Sequence, residues 1–388
     1  MLDRTKVIQE IENVSAKIFT SNENQTDLAF EKWQEILQAP TFKKRVIESE
    51  SSFLLPDWQQ DFNQIIKINP EFKNYAVLAS DGSQIYPERH ISGINCVLLN
   101  IGHCLLEYAD NSLAILTSAP QVLTTDQVIP GVEEAFSVDL VDLKREEFEL
   151  KSALEKSIQL FQNYRQCNLP FTVLFDGSLV FWQLEAKSSA VKKYFLNEYI
   201  QALDGFYQHN IPMASYISMS KSRELVNLTK IGFCRFERAN CISCHSLYQD
   251  FPCKAVDNVL DAHLCSRFLN EFERTIVFQS KSKIVDIYPA HLKPCFLYIN
   301  VGHEIARLEF PFWVSQNSDH LNLICKTAID QSIKGNGYPV ALAEAHEQAI
   351  IRSADRDFFY HMLNKKSLSL KQRIVMSQKS LKKYNSVF

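Results

Sequence analysis

The sequence predicts an α/β fold in which helices flank a mixed sheet. Short apolar runs alternate with longer amphipathic segments between Tyr75 and Met219, in the order strand, strand, strand, helix, strand, helix, strand. Two of these runs are followed directly by Asp-Gly-Ser, which places acids at the ends of two core strands. This is the order of an RNase H-like core, and 388 residues are enough for such a core with a helical N-terminal arm and C-terminal helices.

The elements are expected in the following order. Residues 1–70 form a helical arm, because apolar residues recur there at the helical period, and residues 71–363 form the main domain. The core strands are expected at YAVLAS, ISGINCVLLNIGHCLLEY, SLAILTS, FTVLF and MASYISM, with helices near 132–166, 183–208 and 221–230. Beyond the core we expect a cysteine-containing insertion at about 232–256, a helix near 255–272, strands TIVFQS, CFLYINVG and EIARLEFPFWV, helices near 319–334, 340–363 and 367–384, and a basic tail over 364–388.

Charge and hydropathy exclude several classes of protein. The formal net charge is −4, so there is no global basic signature for nucleic acid and any DNA-binding surface must be local. No apolar run approaches the ~18 residues that a membrane helix needs. The N-terminal segment lacks the apolar core and cleavage site of a signal peptide, so we expect a cytoplasmic protein without a membrane partner.

The two Asp-Gly-Ser motifs are the first candidates for chemistry. Asp81 and Asp176 each follow an apolar strand, and the glycine permits a sharp turn that would hold the carboxylate at the rim of the sheet. A single Asp-Gly is often only a turn, but two such motifs close core strands of one domain here.

The long helix between these motifs supplies a third acid. Its apolar stripe leaves one gap, which Glu147 fills at the centre of the buried face, whereas Glu149 lies off the stripe. A buried carboxylate needs a metal or a basic partner, so the alternative is that Glu147 pairs with a buried Arg or Lys. Clustered carboxylates favour Mg²⁺ or Mn²⁺, and two such ions can activate water for phosphodiester hydrolysis.

His346 is the remaining candidate for the same centre. Its position on a predicted helix near Leu342 and Ala345 allows it to face inward. It could serve as a ligand that favours Mn²⁺, as a general base, or as an ordinary core histidine.

Four cysteines cluster in GFCRFERANCISCHSLYQDFPC: Cys234, Cys241, Cys244 and Cys253. Cys-x-x-Cys is a metal-ligand spacing, and four thiolates could close a structural Zn²⁺ or iron–sulfur site. Reduced structural thiols and a redox pair are the alternatives.

The C-terminal tail is a local basic segment. Beyond Asp357 it contains no acid, and Lys379, Lys382 and Lys383 are candidates for contacts with DNA phosphates. A solvated helix end or a partner-docking tail is an equally good interpretation.

Several segments together resemble the NurA family of nucleases: AVLASDGSQI, LKREEFELKSAL, TVLFDGSLVFWQLE, YISMSKSRELVNL, EIARLEFPFWV and GYPVALAEAHEQAIIRSADRDFF. The resemblance covers roughly residues 75–360. It implies a toroidal homodimer with an RNase H-like core, Mn²⁺-dependent single-strand endonuclease and 5′–3′ exonuclease activity on DNA, and work with a HerA-type hexameric ATPase on double-strand breaks.

The resemblance also implies the site residues. The metal ligands would be Asp81, Asp176, His346 and a helix glutamate that is either Glu147 or Glu149, and helical phase favours Glu147. Lys221 is implied to approach phosphate.

Two other functions compete with a DNA-end nuclease. One is a non-catalytic DNA-binding or scaffold subunit of a HerA-like ATPase complex, which would not need acids at both strand ends. The other is an RNase with the same core, because DNA and RNA share the phosphodiester chemistry.

Overall fold

The computed structural model describes residues 2–18, 22–71, 73–86, 91–92, 95–129, 137–371 and 375–376. The chain before Tyr75 contains α1 Arg4–Ile18, α2 Glu23–Leu37, α3 Phe42–Ile47, β1 Asp57–Trp58 and β2 Ile66–Lys67. The expected helical arm is therefore helical only up to Ile47. After that residue the chain becomes extended, because Trp58 pairs with Phe278 and buries its ring against the sheet.

The central part of the chain forms the core of the sheet. Its elements are β3 Tyr75–Ile85, β4 Ile91–Ser92, β5 Cys96–Tyr108, β6 Leu113–Thr124, α4 Thr125–Val128, α5 Val138–Gln166, β7 Phe171–Asp176, α6 Ser189–Gln208 and β8 Met213–Ile217. The spatial order is β6-β5-β3-β7-β8, with β3 antiparallel to β5 but parallel to β7, and β7 parallel to β8. The mixed sheet flanked by helices is confirmed.

The remaining elements are α7 Glu224–Phe233, α8 Cys241–Leu247, α9 Asp261–Cys265, β9 Glu273–Arg274, β10 Phe278–Gln279, β11 Pro294–Asn300, β12 Ile305–Pro311, α10 Phe312–Ser315, α11 Ser318–Lys334, α12 Val340–Ala349, α13 Ser353–Ser369 and β13 Val375–Met376. Short 3-10 turns lie at Trp182–Leu184, Pro252–Val256, Lys283–Ile287 and Ala290–Leu292. Strand β12 pairs with β8, and β11, β10 and β1 extend the sheet beyond it.

Two hydrophobic clusters hold these elements together. The larger one lies around the central sheet and is covered by α5, α6, α11 and α12. The smaller one packs α2 and α3 against α7, α9 and one side of β11, with Trp33, Leu228 and Phe296 among its buried residues. Helices α2 and α3 are thus part of a second core on the extended half of the sheet.

Three expected helices differ in the structure. The one near 255–272 is reduced to α9, because the buried Asp261 carboxylate accepts from the Val226 amide at 2.8 Å and fixes an irregular segment against α7. The helix expected over 340–363 is broken between α12 and α13, where the Asn100 side chain donates to the Ala349 carbonyl at 2.8 Å. Of the helix expected over 367–384, residues 367–369 form the end of α13 and residues 375–376 pair with β4, while residues 372–374 and 377–384 lie outside the described residues.

Within the residues described above, none of the helices combines the length and the apolar character needed to cross a bilayer.

Candidate active site

Asp81 and Asp176 lie side by side at the same edge of the sheet. The parallel pairing of β3 with β7 ends at the pair Ser80 and Phe175, so the next residue on each strand is an acid. Each aspartate accepts a hydrogen bond through Oδ1 from the following glycine amide, at 2.8 Å in both cases. The structure therefore brings together the two acids that the sequence pattern singled out.

The two motifs nevertheless differ in backbone structure. Asp176 ends β7, and Gly177 follows with a φ of +91°, a conformation that favours glycine. In contrast, the prediction of a turn after Asp81 is wrong, because β3 continues to Ile85 and remains paired with β5 throughout. One carboxylate is thus carried by a continuous strand and the other by a turn.

His346 reaches Asp81 from helix α12. Its Nδ1 lies 2.6 Å from Asp81 Oδ2, and its side chain is 62 % exposed, so it is a rim residue of the cavity rather than a core histidine. The helix comes this close because Gly102, the register partner of Asp81, has no side chain. A Cβ there would lie 2.2 Å from the Ala345 carbonyl oxygen and 2.4 Å from the Ala349 amide nitrogen.

The helix glutamate that joins these acids is Glu149. It is buried, it lines one cavity of about 270 Å³ together with Asp81 and Asp176, and its Oε2 accepts from Arg145 Nη1 at 2.9 Å. The position of Glu149 off the apolar stripe had indicated that it lies outside the buried face of the helix. In the structure, however, Glu149 is buried.

Glu147 is also buried, but it lies elsewhere. Its two carboxylate oxygens accept from Lys144 Nζ at 2.9 Å and from Lys151 Nζ at 2.7 Å. Lys144 also donates to Tyr194 of α6 at 3.0 Å, so this group belongs to the contact between α5 and α6. The expectation that Glu147 joins the two aspartates is wrong in this structure, and the alternative of a buried basic partner is correct.

The cavity carries an excess of negative charge. Within the described part of the chain, four acids line it, Asp81, Glu146, Glu149 and Asp176, against the single base Arg145. Burial raises the pKa of Glu149 well above its ordinary value, Arg145 opposes that rise, and repulsion from Asp81 adds to it.

The same effects act on Asp176. Burial raises the pKa of Asp176, the hydrogen bond from the Gly177 amide lowers it, and repulsion from Asp81 raises it further. A cation in the cavity would remove the repulsion among these groups.

The donor set fits a hard divalent cation, since it consists of carboxylate oxygens with one imidazole at the rim. Over the ranges that the structure describes, however, no three His, Cys, Asp or Glu side chains converge closely enough to enclose an ion. Arg145 occupies one oxygen of Glu149, so an ion would have to draw the acids together and compete with this arginine.

Tyr338 is a site residue that the sequence analysis did not select. A hydrogen bond between its side chain and Asp176 lowers the pKa of that carboxyl, after the larger effects of burial, the Gly177 amide and Asp81. Burial and the negative charge of Asp176 raise the pKa of the Tyr338 hydroxyl. The sequence signal was its place in the Gly-Tyr-Pro segment that precedes the His346 helix.

The other predicted contacts lie away from this cavity. Lys221 is exposed in the loop between β8 and α7 and does not line it. Lys379, Lys382 and Lys383 lie outside the described residues.

The four clustered cysteines are free, half-buried thiols. Cys241 and Cys244 lie one turn apart on α8, and contacts of Phe236 with Tyr248 and of His245 with Phe251 fold the flanking segments around that helix. They too fall short of a ligand cluster in the described part of the chain.

A family model described as the NurA domain matches residues 75–351. The fold is similar to the crystal structure of the NurA nuclease from Sulfolobus solfataricus, with a TM-score of 0.51 and 13 % identity over 95 % of this chain and 98 % of that chain. Another crystal structure, described as NurA, gives a TM-score of 0.38 and 11 % identity over 89 % and 98 %, which is too low a score to compare folds. No curated protein gives a significant match.

Proposed function

This protein belongs to the NurA family, and on that premise we propose that it is a metal-dependent nuclease that hydrolyses phosphodiester bonds at DNA ends during double-strand break repair. The observation that carries the proposal is the meeting of Asp81, Glu149 and Asp176 in one cavity with excess negative charge. We include in it the single-strand endonuclease and 5′–3′ exonuclease activities that the family resemblance implies.

We assign the metal-binding role to Asp81, Glu149 and Asp176, with His346 at the rim, and we leave Glu147 out because its carboxylate is neutralised by two lysines. Mn²⁺ or Mg²⁺ bound there would supply an activated water and charge stabilisation for the leaving oxygen.

The residues of the chain itself set up this chemistry. Asp81 holds the His346 ring through Nδ1, which leaves Nε2 for a proton from water or for an ion. Tyr338 orients Asp176 by a hydrogen bond. Arg145 neutralises Glu149 and is the one base among the described residues that line the cavity, so it is placed to meet a substrate phosphate.

The proposal extends to the assembly. A cytoplasmic homodimer that works with a HerA-like hexameric ATPase is what the family resemblance implies. Exposed apolar residues on α1 support a self-association surface, since Ile8 is 57 %, Ile11 49 % and Val14 39 % exposed. Light scattering that finds only monomers over a wide concentration range would contradict the dimer.

The central experiment measures cleavage. Purified protein is incubated with 5′- or 3′-labelled single-stranded and duplex DNA, and with RNA of the same sequence, in Mn²⁺, Mg²⁺ or EDTA. The matched variants are Asp81→Asn and Asp176→Asn, with Asp204→Asn as control because Asp204 pairs with His291 away from the cavity.

We expect metal-dependent cleavage of DNA that both cavity variants lose and the control retains. DNA binding without cleavage in any metal would favour the scaffold function. Preferential cleavage of RNA would favour the RNase function.

A further inference from the structure

Glu309 is a buried carboxylate that contacts the turn after Asp176. It lies on β12, it is 2 % exposed, and it is the register partner of Ser215 on β8. Its Oε2 accepts from the Ser178 hydroxyl and from the Leu179 amide, both at 2.8 Å. The third residue of the second Asp-Gly-Ser motif is therefore held by an acid that lies more than a hundred residues further along the chain.

The other oxygen of Glu309 is held by Arg307. Its Oε1 accepts from Arg307 Nε at 2.7 Å, and Arg307 Nη2 donates to Glu224 at the same distance. Arg307 is 1 % exposed, and its guanidinium lies 3.7 Å from the centre of the Phe296 ring. One buried cation thus joins two buried carboxylates, of which only Glu309 contacts the turn.

Such a buried ionic group adds little to the free energy of unfolding, because the free energy needed to remove the charges from water is about as large as the free energy gained by pairing them. It does fix positions closely, since each charged hydrogen bond has a narrow geometry. Both carboxylate oxygens of Glu309 are satisfied by partners, whereas Glu224 has one buried oxygen, Oε2, without a partner within the described residues.

The held turn is the one that presents Asp176. Gly177 has a left-handed φ of +91°, Ser215 donates to its carbonyl oxygen, and Ser178 lines the acidic cavity. A turn of this kind can relax when its anchors are removed, and any relaxation would displace the Asp176 carboxylate.

We propose that Glu309 is a positioning residue for the nuclease site: through Ser178 and Leu179 it fixes the turn that places Asp176 in the cavity. This inference rests on the proposed function.

The test compares Glu309→Ala with Glu224→Ala. Each variant leaves Arg307 with one carboxylate, so the buried electrostatics are matched, but only the first loses contact with the turn. We expect Glu309→Ala to lower kcat for DNA cleavage about 10- to 100-fold with KM within about twofold, as for a displaced catalytic group.

Direct Mn²⁺ titration without DNA should give weaker binding in Glu309→Ala. Glu224→Ala should lose stability while kcat and Mn²⁺ affinity remain within about twofold of wild type.

Two further variants keep the inference testable if the alanine variant does not fold. Glu309→Gln retains an acceptor oxygen for the Leu179 amide and should lose less activity than Glu309→Ala. Ser178→Ala should lower kcat in the same direction, and its effect should not add to that of Glu309→Ala.

Hydrogen exchange separates failure of this inference from failure of the proposed function, since it needs no activity. The Leu179 amide should exchange faster in Glu309→Ala than in Glu224→Ala. Equal exchange, or equal loss of kcat in both variants, would overturn the positioning role even in an active enzyme. Faster exchange at Leu179 in a protein that never cleaves nucleic acid would overturn the nuclease function instead.

Discussion

The contact between Gly102 and α12 predicts that Gly102→Ala will damage both stability and the site. The methyl group would lie 2.2 Å, 2.4 Å and 2.7 Å from backbone atoms of Ala345, Ala349 and Gln348. These are main-chain atoms of a helix, so no side chain can turn away to make room.

The size of the effect follows from these distances. Cβ contacts in proteins essentially never fall below 3.0 Å and are ordinary above 3.4 Å, so α12 must retreat by about 0.8 to 1.2 Å from the 2.2 Å contact. Overpacking of this kind costs about 1–3 kcal/mol of unfolding free energy. A displacement of about 1 Å at a catalytic group can lower turnover by about 100-fold. His346 lies on the same helix and is expected to lose its 2.6 Å contact with Asp81.

Denaturant unfolding measures the first effect, and Mn²⁺-dependent cleavage of labelled DNA measures the second. Gly232→Ala is the comparison variant, because the nearest atoms to its methyl group, at 2.8 to 3.0 Å, would be side-chain atoms of Ile36 and Lys32 and not main-chain atoms. The double variant of Gly102→Ala with His346→Ala should be no less active than His346→Ala alone. Wild-type stability in Gly102→Ala would refute the packing argument. Lost stability with full activity would refute the claim that this contact places His346.

Three further predictions test other parts of the molecule. Glu149→Gln is expected to lower cleavage at least about 100-fold, whereas Glu147→Gln lowers stability and leaves cleavage within a few-fold; equal losses in the cleavage assay would count against the cavity as the site. Burial lowers the pKa of His103 to about 4, so the unfolded chain binds more protons than the folded one below pH ~6.5, and unfolding free energy falls from there towards pH ~4. His103→Leu should flatten that fall without loss at neutral pH, because neither ring nitrogen has a partner among the described atoms, and identical pH profiles from denaturant titrations would contradict this. Because the four cysteines do not form a ligand cluster among the described residues, elemental analysis should find no Zn²⁺ or iron in the purified protein; metal that is present in wild type and lost in Cys241→Ser and Cys244→Ser would establish a thiolate site instead.

The sequence was sufficient for the parts of the site that depend on local pattern. An apolar strand that runs directly into Asp-Gly-Ser locates Asp81 and Asp176 correctly, because strand pairing brings the ends of parallel strands to one edge. The continuation of β3 beyond Asp81 was missed because Asp-Gly-Ser has the composition of a turn, and only the pairing with β5 reveals a strand.

The helix glutamate shows where periodicity fails. A phase argument assumes one buried face, but α5 packs against β3 on one side and α6 on the other, so both Glu147 and Glu149 are buried. Which of them faces the aspartates depends on the position of the helix across the sheet. That position is set by tertiary packing, and the spacing of apolar residues along the helix does not reveal it.

The sequence analysis did not select Gly102, Tyr338 or Glu309, for a related reason. Each acts through a partner far away in the chain: Gly102 through α12, Tyr338 through Asp176, and Glu309 through Ser178. A lone glycine in a strand or a lone glutamate in an apolar run is only a weak hint of such a contact.

The long separation between Asp81 and His346, 265 positions, has a consequence for the newly made protein. During synthesis the N-terminal part of a chain emerges and begins to fold first. Asp81, Glu149 and Asp176 are all synthesised before β8, whereas Glu309, Tyr338 and His346 are synthesised after it. A nascent or prematurely ended chain therefore contains the acidic residues but lacks α12, the helix that packs against Gly102. The cavity and its surrounding contacts are complete only after Glu309, Tyr338 and His346 have been added, so a chain that ends before them lacks these contacts.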